Sequence, residues 1–333
     1  MHESTLLVTI AIVILALSFD FVNGFHDTAN AIATSISTGA LKPRSGIILA
    51  SVMNLAGALS FTGVAETVGG RIINPLMLDD GLMVVMSALL AAITWNLITW
   101  YFGLPSSSSH ALIGSLTGSA VISAGYSAVN LKGYGEILKA LLFSPVVAFI
   151  AGLFLMSLIK ALILFGSRYS LNTQFRRLQV AAATFQAFAH GTNDAQKTMG
   201  IIVLALITGG YLDSHSVPLW VKLSSASAMA LGTSMGGWKI IRTVGTQITR
   251  VAPPNGFASD LSSALIIITA TLFKLPVSTT HVISSSIMGA GTANGISAVN
   301  WGTAKKIIMA WLVTLPASAV LAALSFVLLT RPG

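Results

Sequence analysis

The chain has 333 residues, 54% of them hydrophobic, with a mean hydropathy of +0.83. Only 8% are charged, whereas soluble domains carry about 25%. This composition excludes a soluble enzyme and a nucleic-acid-binding protein. The formal net charge of +8 comes from lysines and arginines that stand singly or in pairs between apolar runs. Such residues mark the cytoplasmic ends of membrane segments, so we expect the lipid bilayer, and no nucleic acid, as a partner.

Apolar segments recur along the whole chain, beginning with a stretch at 6–17 that we interpret as a membrane helix, because no basic residue precedes it. Windows that approach or reach the roughly 20 residues of a full span cover 4–22, 45–65, 82–103, 137–166, 217–240, 258–274 and 305–330. Shorter windows rich in Gly, Ser and Thr cover 28–41, 105–124, 178–190, 198–212 and 276–294. Polar, interrupted backbone at membrane depth must be surrounded by protein or water, so these short windows are expected to point inward.

Three short motifs occur twice, separated each time by about half of the chain length. The matching pairs are 24–30 with 191–197, 104–110 with 275–281, and 125–130 with 295–300, and Pro145 then falls opposite Pro316. Three collinear matches at a nearly constant spacing indicate a duplicated unit. We predict a first repeat at 1–165 and a second at 178–333.

The most polar loop, residues 166–177, separates the two predicted repeats. It carries Arg168, Arg176 and Arg177, whereas the first three residues have no basic side chain, so the positive-inside rule places this loop in the cytoplasm. An odd number of crossings per half makes the repeats inverted and both termini extracytoplasmic. The predicted fold is an all-α polytopic membrane protein with two inverted repeats, interrupted helices, re-entrant helical hairpins and roughly 10 to 12 membrane segments, as in secondary transporters.

The first duplicated motif contains four polar residues at helical spacing, Asn23, Asp27, Asn30 and Thr34. Asp27 has an acidic counterpart, Asp194, in the second half. A carboxylate in a membrane helix costs about 2.5 to 3.5 kcal/mol on insertion scales, so it is rarely present without a partner or a function. The two acids are predicted to bind a coupling cation or proton; the alternative is a structural ion pair or a hydrogen bond between the halves, with Lys197 as partner.

The other ionisable candidates in apolar stretches are His26, His110, His281, Asp20 and Glu66. His26 adjoins Asp27 and can change charge near neutral pH, so it is grouped with the coupling site. The two serine-flanked histidines are expected to be satisfied by hydrogen bonds in a packed bundle. The two remaining acids are secondary candidates, because neither has an acidic repeat mate.

The second duplicated motif predicts an oxyanion site. Pro105 and Pro276 are expected at the first position of a helix, which puts the hydroxyl runs 106–109 and 278–280 in the first turn. Unpaired backbone N–H groups, the positive end of the helix dipole and several hydroxyls together suit a tetrahedral anion. A serine run of this kind can also serve only as an N-cap.

These motifs resemble those of the inorganic phosphate transporter family over essentially the whole chain. Residues 24–30 and 191–194 are similar to the two copies of the family's Gly-x-Asn-Asp-type motif. Residues 105–110 and 276–281 resemble its re-entrant hairpin tips. The resemblance implies import of inorganic phosphate through the cell membrane by symport with H⁺ or Na⁺.

The resemblance also implies roles for individual residues. Those implied to bind the coupling cation or proton are Asp27, Asn30, Asn193, Asp194 and His26. Those implied to bind phosphate are Ser107, Ser108, Ser109, Ser278, Thr279, Thr280 and Lys197. A Na⁺ ion at Asp27, Asn30 and Asp194 is the metal site to consider.

Two residues depart from the sodium-coupled pattern. His26 stands in place of an asparagine. Lys197 also stands in place of an asparagine, which the first half retains at the matching position as Asn30. An ammonium group has no acceptor and cannot ligate Na⁺. These features resemble the bacterial proton-coupled branch, in which a neutral metal–phosphate complex is an expected substrate.

Two alternatives remain open. The first is a transporter of sulfate or another tetrahedral oxyanion with the same fold. The second is an intramembrane hydrolase, which is disfavoured because His-Glu-x-x-His and Gly-x-Ser-x-Gly are both absent. No nucleotide-binding loop is present, so no cofactor is expected, and a homodimer is a further hypothesis.

Overall fold

The computed structural model describes residues 2–73, 78, 80–163 and 168–330, which are almost entirely helical. The α-helices are α1 His2–Ser37, α2 Pro43–Ser60, α3 Gly63–Arg71, α4 Gly81–Tyr101, α5 Ser108–Ala124, α6 Leu131–Ile163, α7 Arg168–Thr208, α8 Leu219–Met235, α9 Trp238–Arg242, α10 Pro253–Leu272, α11 Thr279–Thr292 and α12 Trp301–Thr330. Extended pairing within these residues is limited to the isolated bridges Ile73 with Val129 and Thr249 with Val299.

Five of the described helices, α1, α4, α6, α10 and α12, are long and apolar enough to cross a membrane. A sixth candidate is the pair α2 and α3, which is bent by 69°. The prediction of 10 to 12 segments also counts shorter and more polar helices, which this criterion omits. Leu7, Phe154 and Leu328 are exposed, while many polar side chains are buried. This inside-out polarity fits a protein that is surrounded by lipid.

The second half repeats the order of elements found in the first. Helices α1, α4, α5 and α6 correspond to α7, α10, α11 and α12, and a short 3₁₀ turn precedes both α6 and α12. The halves also exchange packing partners, since α5 packs against α12 and α6 against α11, while α1 packs against α8 and α2 against α7. Neither half therefore forms a separate core.

The polar loop predicted at 166–177 is helical from Arg168 onward, because α7 begins there. Residues 164–167, which include the start of the predicted linker, lie outside the described residues. Helix α7 then continues without interruption for 41 residues, so the basic segment and the second acidic motif share one helix.

The sequence predicted that helices begin at Pro105 and Pro276, and this prediction was wrong. Helix α5 begins at Ser108 with Ser107 as its N-cap, and α11 begins at Thr279 with Ser278 as its N-cap. Each cap hydroxyl accepts a hydrogen bond from the backbone N–H three residues later, at 3.1 and 3.2 Å. Serine can supply this bond and proline cannot, so the helices start after the prolines and leave them in the extended tips.

Glycine allows α1 and α8 to approach closely beside the acidic motif. A Cβ atom at Gly232 would lie 2.0 Å from the carbonyl oxygen of Phe21, and one at Gly24 would lie 2.3 Å from that of Met229. Both neighbours are backbone atoms, which cannot move aside cheaply. Small residues at helix contacts are a common packing device in membranes.

Replacement of Gly232 by alanine is therefore expected to lower the free energy of unfolding by about 1 to 3 kcal/mol through overpacking. The measurement is thermal unfolding in detergent. Gly135→Ala is the matched control, because nothing lies within 4 Å of a Cβ at that helical position. Equal melting temperatures for the two variants would contradict this account of the α1 and α8 contact.

Candidate functional site

The two duplicated acids lie on the two long helices that pack against each other in the interior. Asp27 on α1 is 1% exposed and Asp194 on α7 is fully buried. Nearly all neighbouring positions on both helices are also buried. We call the region around these two carboxylates the central site.

Asp27 receives hydrogen bonds from both halves of the chain. The hydroxyl of Ser108 donates to Oδ2 at 3.1 Å, and that of Thr280 donates to Oδ1 at 3.3 Å. The neighbouring His26 places Nδ1 2.7 Å from Oδ1. The first-half acid is thus contacted by α5 of its own half and by α11 of the other.

Asp194 is surrounded by two basic side chains of its own helix and one hydroxyl. Lys197 donates to Oδ1, and Thr279 donates to Oδ2 at 2.9 Å. Nε2 of His190 lies 3.1 Å from Oδ2, and its Nδ1 lies 3.0 Å from Oδ1 of Asn54. The predicted pairing of Asp194 with Lys197 is present in the structure.

The ammonium group of Lys197 is buried and bound by three acceptors. Besides Asp194, it donates to the hydroxyl of Ser109 at 2.6 Å and to the carbonyl of Val277 at 2.8 Å. Burial of a lone charge is costly, and a carboxylate with two further oxygens offsets that cost. Lys197 therefore links the acid of the second half to the hairpin tips of both halves.

The first hydroxyl turn, residues 107–109, and the second, residues 278–280, both face the central site. Ser108 and Thr280 both donate to Asp27. Ser109 accepts from Lys197, and Thr279 donates to Asp194. Asn30 donates to Oγ1 of Thr280 at 2.9 Å. Ser107 and Ser278 cap their helices, so these two hydroxyls position backbone N–H groups. All the predicted hydroxyl residues are therefore brought together.

His26 and Asn193 occupy matching positions and hold matching turns. Nε2 of His26 lies 3.1 Å from Oγ1 of Thr99, at the end of α4. Asn193 donates to Thr271 and to the carbonyl of Leu275, both at 3.1 Å, and accepts from the backbone of Val277 at 3.2 Å. In this state the amide of Asn193 bonds to the hairpin tip.

A cation can be held between the two acids. One ligand atom each from Asp27, His190 and Asp194 lies within 4.8 Å of the others, and all three residues are buried. Two carboxylates and an imidazole suit a divalent metal better than Na⁺, which prefers oxygen. Sequence reasoning missed His190 as a ligand; its spacing of four residues before Asp194 was the available signal.

The remaining ionisable candidates lie away from the acids. The ring centroids of His110 and His281 lie 4.5 Å apart with the rings tilted by 33°, and Trp311 stacks on His281 with its centroid at 4.0 Å. These rings line a mainly apolar cavity of about 410 Å³. Nδ1 of His110 bonds to Ser107 at 2.8 Å as predicted, whereas Nε2 of His281 has no partner among the described residues. Glu66 is exposed and pairs with Lys274 at 2.8 Å, which removes it from the site.

A polytopic helical protein with a buried polar site built from both halves has the architecture of a membrane transporter. Comparison with known proteins identifies the family of transporters. Residues 23–322 match the model described as "Phosphate transporter family". The chain belongs to this family, and it is a transporter rather than an enzyme.

Individual relatives cover nearly the whole chain. A Bacillus subtilis (strain 168) protein described as a "Probable low-affinity inorganic phosphate transporter" is 55% identical over 97% of this chain and 98% of its own length. A Rhizobium meliloti (strain 1021) protein of the same description is 42% identical, over 95% of each chain. The solved structure titled "The sodium-dependent phosphate transporter" superposes with a TM-score of 0.85 at 25% identity, covering 97% of this chain and 98% of that one.

Proposed function

We propose that this chain imports inorganic phosphate across the cell membrane in symport with protons. The observation that carries the proposal is the meeting of the two hydroxyl turns at the two buried acids. Each turn is a helix N-terminus that carries several hydroxyl groups, which is a favourable place for an anion. Phosphate bound between Ser108, Ser109, Thr279 and Thr280 would contact both halves at once.

The acids beside the hydroxyls favour phosphate over sulfate. At neutral pH phosphate still carries a proton and can donate a hydrogen bond to Asp27 or Asp194. Sulfate has no proton to donate, so its oxygens would face these carboxylates unpaired. An unpaired buried acceptor costs about 1 to 3 kcal/mol, which is a discrimination of roughly 5- to 150-fold.

Lys197 favours protons over sodium as the coupling ion. Its ammonium already neutralises Asp194 and binds Ser109 and Val277, so a positive charge is permanently present there. This ammonium takes the position beside Oδ1 of Asp194 where a Na⁺ ion would otherwise offset the charge, so that acid does not need sodium. The same ammonium can pair with a phosphate oxygen once the anion enters.

The substrate we favour is phosphate with a bound divalent metal. Asp27, His190 and Asp194 provide two oxygens and one nitrogen for the metal, next to the hydroxyls assigned to phosphate. The metal ion would offset the negative charges of the anion and the two acids. It is carried as part of the substrate.

The arrangement of helices supports inverted repeats. Corresponding helices exchange partners between the halves, as expected for two units related by a twofold axis. Thr38 at the end of α1 bonds to Gln179 near the start of α7 at 2.7 Å, and the segment 243–247 packs on Ala33 and Ser37. Segments 38–45, 168–178, 239–252 and 298–306 gather at this end, and they carry lysines and arginines but no acids. We assign this end to the cytoplasm and both termini to the outside.

Uptake of labelled phosphate into proteoliposomes tests the proposal. An inward pH gradient without sodium is expected to drive accumulation, and a sodium gradient at equal pH is not. Divalent metal is expected to stimulate uptake, and excess sulfate to compete weakly. Sodium-driven uptake that ignores the pH gradient would refute proton coupling, and full inhibition by equimolar sulfate would refute the substrate.

The double variant Ser108→Ala/Thr279→Ala is expected to weaken phosphate binding by roughly 5- to 100-fold, because each lost neutral hydrogen bond is worth about 0.5 to 1.5 kcal/mol. Calorimetry in detergent measures the affinity. Thr117→Ala and Thr292→Ala are matched controls on the same helices, since both hydroxyls lie away from the turns and donate to backbone carbonyls four residues earlier. Equal affinities in the double variant and the controls would remove the anion from these turns.

A further inference from the structure

Two more buried acids lie outside the central site. Asp20 on α1 is fully buried and Asp260 on α10 is 1% exposed. Neither forms an ion pair within the described part of the chain. A carboxylate in a membrane interior without a counter-charge is a functional candidate by default.

Asp260 is bound chiefly by one hydroxyl from the other half. Oγ1 of Thr34 lies 2.6 and 2.8 Å from its two oxygens, and the amide of Gln179 is beside it. Nε2 of Gln179 is buried without a hydrogen-bond partner among the described residues. An ionised carboxylate has about four acceptor positions, so this environment suits the neutral acid better than the anion.

The cations on helices packed against α10 are engaged or exposed. Lys197 binds Asp194, Lys160 donates to the carbonyl of Ala293, and Arg176 and Arg177 are exposed on α7. On α11 His281 stacks with Trp311, and on α3 Arg71 pairs with Glu136. Asp260 therefore has no described counter-ion to hold it charged.

Asp20 has a similar environment on the opposite side of the central site. Thr198 donates to its Oδ1 at 2.6 Å, while Oδ2 has no partner among the described residues. The buried hydroxyl of Ser225 lies beside the same carboxyl group. The charges that act on Asp20 are Asp194 and Lys197, and Thr198 lies one helical turn beyond Asp194.

Helix α1 aligns these acids with the central site. Asp20, Asp27 and Thr34 are spaced seven residues apart on one face, and Thr34 holds Asp260. Seven residues of helix rise about 10 Å, so the column extends over about 21 Å. That is most of a hydrocarbon core of about 30 Å.

Polar side chains fill the interval between Asp27 and Asp260. Asp27 accepts from Thr280, which accepts from Asn30. The carbonyl of Asn30 accepts from Gln186. The single hydroxyl proton of Ser263 lies within reach of Oε1 of Gln186 and of the backbone carbonyls of Ser259 and Asp260. Apolar side chains would fill this space at a lower free-energy cost than buried polar groups do, so the polar lining indicates that a charge moves through it.

We propose that Asp20 and Asp260 bind protons and are the two outer stations of a proton path that passes the central site. This inference rests on the proposed proton coupling. Asp20 exchanges its proton toward the end of α1 that we assign to the outside, and Asp260 toward the basic end. Each acid is neutral when its proton is bound and releases that proton toward the next station.

The test measures proton binding and transport separately. Infrared difference spectra of the full-length protein, recorded between an acidic and an alkaline buffer, are expected to contain a protonated-carboxyl band that disappears in Asp260→Asn and another that disappears in Asp20→Asn. In proteoliposomes these variants are expected to lose pH-driven accumulation at least tenfold while retaining phosphate exchange without a gradient. Glu66→Gln, at an exposed acid, is the control and should behave as the unmodified chain.

The results of these experiments distinguish failure of the proton path from failure of the proposed function. If the unmodified chain shows proton-driven uptake and both asparagine variants keep it, the path is refuted and the proposed function stands. If the unmodified chain shows no proton coupling, the proposed function itself fails. Should a variant not fold, Thr34→Val removes the hydroxyl from Asp260 and is expected to shift its infrared band; an unshifted band would refute that station. A band that responds to Na⁺ and not to pH would also overturn the assignment.

Discussion

Lys197→Asn is expected to abolish proton-driven phosphate uptake and to lower the free energy of unfolding by about 3 to 5 kcal/mol. Removal of one partner of a buried ion pair leaves the other charge without compensation, here Asp194. The variant also loses the bonds from the ammonium to Ser109 and Val277. Uptake into proteoliposomes and thermal unfolding in detergent measure the two effects.

The double variant Asp194→Asn/Lys197→Asn should regain most of the stability without regaining transport, because no buried charge is left unpaired. Lys274→Met is the control, since Lys274 pairs with Glu66 at the surface and an exposed pair is worth about 0 to 1 kcal/mol. Sodium is expected to raise the melting temperature of Lys197→Asn more than that of the unmodified chain. Normal uptake by Lys197→Asn would contradict the role given to the ammonium group.

Asp27→Asn is expected to reduce gradient-driven uptake at least a hundredfold with little change in stability. The amide has nearly the same shape and its oxygen can still accept a bond from either Ser108 or Thr280, while its NH₂ group takes the place of the other carboxylate oxygen, so the local packing is retained. The side chain can no longer carry a proton or contribute a charged ligand to the metal. Initial uptake rates under an imposed pH gradient measure the effect.

Glu136→Gln is the control for Asp27→Asn, because Glu136 is an exposed acid that pairs with Arg71 at 3.4 Å. Its uptake is expected to equal that of the unmodified chain. Asp194→Asn is measured under the same pH gradient and is expected to lose gradient-driven uptake as Asp27→Asn does. A single acid variant with normal accumulation would show that its carboxylate is not part of the coupling site.

Local sequence patterns predicted the parts of the central site but not their connections. The four-residue stripe on α1 and the two hydroxyl runs were recognisable because polar residues stand out in an apolar chain. The start of α5 at Ser108 was missed because proline at a helix start and serine at an N-cap compete, and the contacts at the tip decided between them. His190 falls opposite Asn23 of the first motif but was not recognised as a possible metal ligand, and Asp260 was missed because no acid lies at the matching place in the first half.

The sequence by itself determined that the chain is a helical membrane protein, and it predicted two inward-facing acids and two hydroxyl turns in a duplicated arrangement. These features follow from the composition and from short motifs, because the free-energy cost of a polar residue in a bilayer can be judged from that residue and its neighbours in the sequence. Only the tertiary structure decided that Thr280 of one half contacts Asp27 of the other, that Lys197 joins both turns, and that Asp260 lies on Thr34. These partners are separated by as many as 253 residues, and their pairing depends on how the halves exchange helices, which no local pattern records.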